Sequence, residues 1–152
     1  MRLFNKVAII GVGLIGGSLG LALRKKGLAS EVVGFFRRKK TLNAAKKKRL
    51  ITKATMSLKE AVSGADLVIL AMPVDTIIKF ASKIRRMVKK GAIIIDVGST
   101  KQKIVKEIER ILPNGVYFIG CHPLAGSDKS GPEAANVDIF KDSICILTPT
   151  RN

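Results

Sequence analysis

Short apolar runs and amphipathic stretches take turns along this chain. Val7 to Ile10 is an unbroken apolar run, the pattern of a strand buried on both faces, and it predicts a strand over 5–10. Leu14, Ile15, Leu19, Leu21, Ala22 and Leu23 follow at helical spacing and predict a helix from 14 to about 26, stopped by Gly27. The alternation continues with strands over 31–36, 66–71, 92–96, 117–121 and 143–147. Between them come a basic helix running to about 49 and a short helix opened by Ser57-Leu-Lys-Glu60, a capping box. A longer helix over 75–88 carries Ile77, Ile78, Ala81, Ile84 and Val88 on one face; another, up to Pro113, turns Ile104, Ile108 and Ile111 inward. A short helical stretch near 133–139 precedes the last strand. Such alternation predicts an α/β fold: a Rossmann-like, doubly wound, mostly parallel sheet of six strands with helices on both faces. With no repeat and no low-complexity linker, residues 1–152 read as one dinucleotide-binding domain.

Composition narrows the classes. An apolar fraction of 47% and a mean hydropathy of +0.23 exclude a disordered chain. No apolar run reaches the roughly 18 residues of a membrane span, and a strand begins where a leader peptide would need its charged and apolar regions. Cys121 and Cys145 both fall in apolar, strand-like runs, so reduced core thiols in a cytoplasmic protein are expected. The 28 Lys and Arg against 11 Asp and Glu give +17. They are spread over nearly every helix, and six Phe and one Tyr supply no basic–aromatic platform, so no nucleic-acid partner is expected. The charge reads as solvated helix faces that also steer anionic ligands. No metal site is expected.

The chemistry starts at the first turn. Gly11-Val-Gly13-Leu14-Ile15-Gly16 is a G-x-G-x-x-G run between the first strand and the first helix, the context a dinucleotide fingerprint requires. Gly11 allows the tight turn, Gly13 lets the backbone approach a pyrophosphate, and Gly16 lets helix pack on strand. The N–H groups of the helix's first turn then face the phosphates. Open sheets of this kind bind ligands beyond the carboxyl ends of their strands. That places Gly11–Gly16, Phe36–Arg38, Met72-Pro73-Val74, Val97–Lys101 and His122–Ser127 around one crevice.

Strand two decides the cofactor. An NAD site usually places Asp or Glu about 20 residues beyond the glycines, to hold the ribose 2′-OH. Here no acid occurs between 32 and 59, and Arg37 and Arg38 follow the strand. A guanidinium pairs bidentately with a 2′-phosphate and stacks on adenine, so NADP is favoured about two to one over NAD. His122, the sole histidine, sits on the ligand side before a proline and a Gly/Ser-rich loop. Imidazole titrates near neutrality and suits accepting a proton from an alcohol being oxidised, although a lone histidine is as often structural. Ser99 and Ser127 are hydroxyls on neighbouring loops that could orient it or a substrate.

Together, Gly11-Val-Gly-Leu-Ile-Gly-Gly-Ser18, Asp96-Val-Gly-Ser-Thr-Lys101 and His122-Pro-Leu-Ala-Gly-Ser-Asp-Lys-Ser-Gly131 resemble the prephenate/arogenate dehydrogenase family, in order and spacing over essentially the whole chain. The resemblance implies oxidative decarboxylation of prephenate or arogenate in tyrosine biosynthesis, with hydride transfer to NAD(P)+. It implies that His122 is the base that holds the ring hydroxyl and takes its proton, and that Ser99 orients both. Ser127, with Gly126 and Lys101, falls on the substrate side; Met72, Pro73 and Val74 fall on the cofactor side. The family continues into an all-helical second half that forms the homodimer and supplies a substrate-binding arginine. The resemblance therefore covers the cofactor half alone, which is expected to bind nucleotide and turn over poorly by itself. Two other readings stand beside it: a different hydroxyacid or imine reductase on the same domain, and a non-catalytic nucleotide-sensing module.

Overall fold

Seven strands form one sheet in the computed structural model, which describes residues 1–150. In chain order the elements are β1 (Phe4–Ile10), α1 (Leu14–Lys25), β2 (Ala29–Phe35), α2 (Lys39–Lys47), β3 (Lys53–Thr55), α3 (Leu58–Val62), β4 (Leu67–Leu70), α4 (Val74–Ile84), β5 (Ile93–Asp96), α5 (Gln102–Ile111), β6 (Tyr117–Pro123) and β7 (Cys145–Pro149). Two single-turn 3-10 helices, Pro132–Ala134 and Val137–Phe140, lie between β6 and β7. The spatial order is β3-β2-β1-β4-β5-β6-β7, so the chain winds outward from β1 one way and then, from β4, the other. That reversal opens a crevice beyond the carboxyl ends of β1 and β4, where doubly wound sheets take their ligands.

Period-two alternation along the central strands sorts the core into two layers. Ala8, Ile10, Val68, Leu70 and Ile94 join Ile77, Ala81 and Ile84 of α4 and Ile104 and Ile108 of α5 on one face. Val7, Ile9, Leu67 and Ile69 pack on the other face with Val32, Leu50 and residues of α1 and α2. Both faces of β1 over Val7–Ile10 and of β4 are therefore dry, which is why those stretches are apolar at every position rather than at alternate ones. No helix among the described residues is long and apolar enough to cross a membrane.

The expected sheet needs two corrections. A short strand, β3, pairs with β2 at the far edge, and the last strand runs antiparallel to β6, with Cys121 opposite Leu147 and His122 opposite Ile146. A parallel β7 would need a crossover that carries the chain back to the other end of β6. The segment 124–144 holds no such helix; it folds over the crevice end and returns where β6 finished. The cysteines also divide: Cys121 is buried, but Cys145 is exposed on the edge strand and is no core thiol. Finally, His122-Pro123 does not end β6, which runs through Pro123. Leu124 N–H bonds the Ile144 carbonyl, so Pro123 falls at a non-hydrogen-bonded position of the ladder, where it removes no bond.

At the opposite end of the sheet Asp66 ties β4 to β1. Its carboxylate accepts the backbone N–H groups of Asn5 at 2.6 Å and Lys6 at 2.9 Å and pairs with Lys89. The Lys89 hydrogen bond, then the Lys6 N–H, hold the carboxyl below its ordinary 3.8, against a smaller desolvation effect. A carboxyl with a depressed folded-state value adds stability above its unfolded value and loses it as pH falls through the folded one. The stability advantage of the parent over Asp66→Asn should accordingly be constant above about pH 5 and vanish on further acidification. Urea midpoints across that range measure it; a gap that widens in acid would contradict the assignment.

Candidate functional site

The turn after β1 is built from glycines for steric reasons that can be read one by one. Gly11 has φ +98°, and a Cβ there would overlap the carbonyl of Ala71 at the end of β4. A Cβ on Gly16 would overlap the Gly11 carbonyl and crowd Ala71, so α1 approaches the sheet as closely as backbone permits. Gly13 differs: nothing lies within 4 Å of the Cβ it lacks. The space beside it is open to a ligand rather than filled by protein, which is the fit expected of a pyrophosphate seat before a helix N-terminus. Leu14 and Ile15 open α1 directly behind it.

Beside this turn is a crevice of about 390 Å³. Gly11, Gly13, Arg37, Arg38, Met72 and Pro73, all expected on the cofactor side, line it together. Leu14, Ile15, Gly16 and Val74, the first residue of α4, do not line it. Phe36 is buried at the end of β2 and turns the chain so that Arg37 and Arg38 are exposed at the mouth. Among the described residues neither arginine makes an ion pair. Thr41, Thr76, Gly131 and Pro132 also line it and were not among the expected residues; apolar side chains such as Phe35 and Phe80 form much of the rest. Thr41 and Thr76 follow from the helical phase of α2 and α4, each on the turn that faces the mouth. Gly131 and Pro132 had no local signal, because they arrive from the far side of the sheet.

That arrival has an identifiable anchor. The fully buried Ser18 hydroxyl on α1 donates to the Leu14 carbonyl at 2.6 Å and accepts the Asn136 N–H at 2.9 Å. Lys48, just past α2, reaches the carbonyls of Glu133 and Ala135. The segment leaving His122 is thus pinned across α1 and α2, which lays Gly131-Pro132 on the nucleotide crevice.

The other expected residues cluster at the next two strand ends. Asp96, the last residue of β5, stands opposite Gly120 of β6, so Ser99, just past β5, and His122, in the last residues of the β6 ladder, lie at the ends of two adjacent, paired strands. Ser99 and Ser127 are exposed, His122 is half-buried, and Gly126 is exposed with open space at its missing Cβ. Lys101 has a different partner from the one expected. Its ammonium bonds the fully buried Asp96 carboxylate, whose Oδ2 also accepts the Gly98 N–H at 2.9 Å. The lysine stem crosses Gly120, where a Cβ would stand 3.0 Å from its Cδ. Lys101 therefore braces the turn that presents Ser99. Among the described residues no group of three or more His, Cys, Asp or Glu side chains could hold a metal ion.

A doubly wound sheet, an open glycine turn before α1 and a basic crevice at the switch point are the features of a dinucleotide-binding domain. The comparisons with known proteins specify it further. Residues 19–152 match the family model for the nucleotide-binding domain of prephenate dehydrogenase, and the chain belongs to that family. It is 37% identical over 146 residues to the prephenate dehydrogenase of Bacillus subtilis, covering 95% of this chain and 39% of that protein. It is 35% identical to the cyclohexadienyl dehydrogenase of Zymomonas mobilis, covering 98% of this chain and 50% of the relative. Among solved structures it superposes with a TM-score of 0.87 and 33% identity on prephenate dehydrogenase from A. aeolicus in complex with hydroxyphenyl propionate and NAD+, covering 97% of this chain and 51% of that one. For Synechocystis arogenate dehydrogenase the TM-score is 0.88 at 30% identity, covering 96% and 50%. The chain thus spans about half the length of relatives it matches.

Proposed function

We propose that this chain is the cofactor half of an enzyme that oxidatively decarboxylates prephenate or arogenate and prefers NADP. The observation that carries the reaction is the pairing of β5 with β6, which brings Ser99 and His122 to neighbouring strand ends beside the crevice. His122 takes the proton of the substrate's ring hydroxyl on its imidazole, and Ser99 holds that hydroxyl in line. Ser127 and Gly126 line the substrate's approach, while the Asp96–Lys101 pair fixes the turn under Ser99. A nicotinamide bound at the glycine turn supplies the hydride acceptor; Gly11, Gly13 and the first turn of α1 would hold its pyrophosphate. Aromatisation of the ring then drives loss of the ring carboxylate as CO2. The helical half of the full enzyme, with its dimer contact, completes the substrate site, and the setting is the cytoplasm. NADP+ reduction with prephenate by this chain alone should stay near background; appreciable turnover would show that the half is sufficient.

The cofactor preference rests on Arg37 and Arg38, two exposed cations at the crevice mouth where an acid would exclude a 2′-phosphate. Fluorescence titration should give tighter binding of NADPH than of NADH. A charge-assisted hydrogen bond contributes roughly 1.5–3 kcal/mol. An Arg37→Ala/Arg38→Ala variant should therefore lose NADPH affinity by roughly 10- to 100-fold while its NADH affinity barely moves. Equal affinities in the parent would overturn the preference and leave the family untouched.

A further inference from the structure

The pairing of β6 with β7 places both cysteines of this chain beside the proposed catalytic histidine. Cys121 stands opposite Leu147 and Cys145 opposite Pro123, so the two thiols are diagonal neighbours on one face of adjacent strands, and His122 follows Cys121 directly. Diagonal neighbours stand at roughly 7–8 Å, with side chains leaning closer, just beyond the roughly 7 Å that a disulfide spans without backbone movement. β7 is an edge strand held on one side only and can shift to close the remainder. In the reduced chain the Cys121 thiol donates to the Ile119 carbonyl at 3.6 Å, a weak bond that it leaves on pairing with Cys145. Their settings differ in a way that orders the chemistry. Cys145 is exposed, while Cys121 is 7% exposed, and burial pushes its thiol up to about 11, with Cys145 adding to the shift.

We infer that Cys121 and Cys145 are a redox pair that closes a reversible cross-strand disulfide around His122, with Cys145 as the attacking thiol and Cys121 as the resolving one. The inference rests on β6 and β7 alone and stands whether or not the catalytic reading of His122 does. With hydrogen peroxide as oxidant, the Cys145 thiolate attacks one peroxide oxygen; an S–O bond forms, the O–O bond breaks and hydroxide leaves. Cys121 gives up its proton and attacks the resulting sulfenic sulfur; the S–S bond forms, the S–O bond breaks and a second hydroxide leaves. Two thiols lose two electrons, and peroxide, taking up two protons, becomes two waters. The closed bond would tie both ends of the 122–144 segment together and pin the strand carrying His122 to the edge. A bridge across a diagonal and beside solvent is of the readily reduced, regulatory kind.

The test is peroxide treatment of the dilute, reduced chain, followed by alkylation and tryptic digestion without reductant. The expected main product links residues 111–129 to residues 142–151, which trypsin otherwise separates at Lys129 and Lys141, and dithiothreitol reverses it. Cys145→Ser should leave Cys121 unmodified over the same interval, because the exposed attacking thiol is gone. Cys121→Ala should stop at oxidised Cys145 or at chain-to-chain dimers. If the parent chain instead yields Cys145 sulfinic acid or interchain dimers, with Cys121 still fully alkylated after denaturation, the inference is overturned. That readout on the parent does not depend on either variant folding.

Discussion

Gly13→Ala is expected to fold as the parent does and to lose nucleotide, whereas Gly11→Ala and Gly16→Ala lose the fold with it. The three glycines sit within six residues, yet they meet different surroundings. The methyl at position 13 enters open space and meets a negative φ of −103°, although ψ −146° lies just past the extended region, so the apoprotein should lose only about 1 kcal/mol, the low end of backbone strain. That methyl then occupies volume a pyrophosphate needs. Overpacking costs about 1–3 kcal/mol, or roughly 5- to 150-fold in affinity. At position 11 the methyl overlaps the Ala71 carbonyl and is forced on a residue at φ +98°. Strain of about 1–3 kcal/mol adds to a similar overpacking cost, a large share of the roughly 5–15 kcal/mol that holds a domain together. Urea midpoints and NADPH titration, measured on all three variants, separate the two outcomes. A Gly13→Ala chain that binds NADPH as the parent does would mean that the turn is only structural.

This contrast also shows what a sequence can and cannot disclose. The glycine turn was legible because strand, turn and helix are contiguous. What crowds or spares each glycine required coordinates, since Ala71 at the end of β4 presses on both Gly11 and Gly16 while Gly13 faces open space. The inward faces of α4 and α5 were likewise legible in contiguous sequence, through their 3.6-residue period. β3 was not: three residues with an exposed lysine at the sheet's edge carry no period to read. Nor was the direction of β7, since a short apolar run looks the same whichever way it pairs. Gly131 and Pro132 reach the crevice through the Ser18–Asn136 bond, which spans 118 residues of sequence. No local pattern encodes such a bond. Lys101 could be placed at the site from its motif, but its partner could not, because Asp96 is revealed as a buried anion only once β4, β5 and β6 are assembled.

That burial makes Asp96→Ala the other substitution with a large effect. In the parent the carboxylate is fully buried and the lysine side chain is 14% exposed, so the two charges are screened by little water. Oδ2 carries both bonds, to the Lys101 ammonium and to Gly98 N–H, while Oδ1, also buried, has no partner. Such a pair contributes little net stability, since desolvation offsets much of its attraction. Removing one member is another matter. Alanine at 96 leaves the ammonium beside Gly120 without a counter-charge and frees the Gly98 N–H, at an expected cost of about 3–5 kcal/mol. The turn beneath Ser99 then loses its brace, so any chemistry that depends on Ser99 should fall with it. Asp96→Val combined with Lys101→Met should recover most of the lost stability, because it removes both charges and fills the space with apolar volume. It should not recover the position of Ser99, since no side chain then bonds Gly98. Urea midpoints of the parent, Asp96→Ala and the double variant measure the first effect. Amide exchange at Gly98 and Ser99 measures the second. A single variant that costs less than about 1 kcal/mol, the range of exposed pairs, would mean that water reaches the pair in solution and that the brace is not what holds the turn.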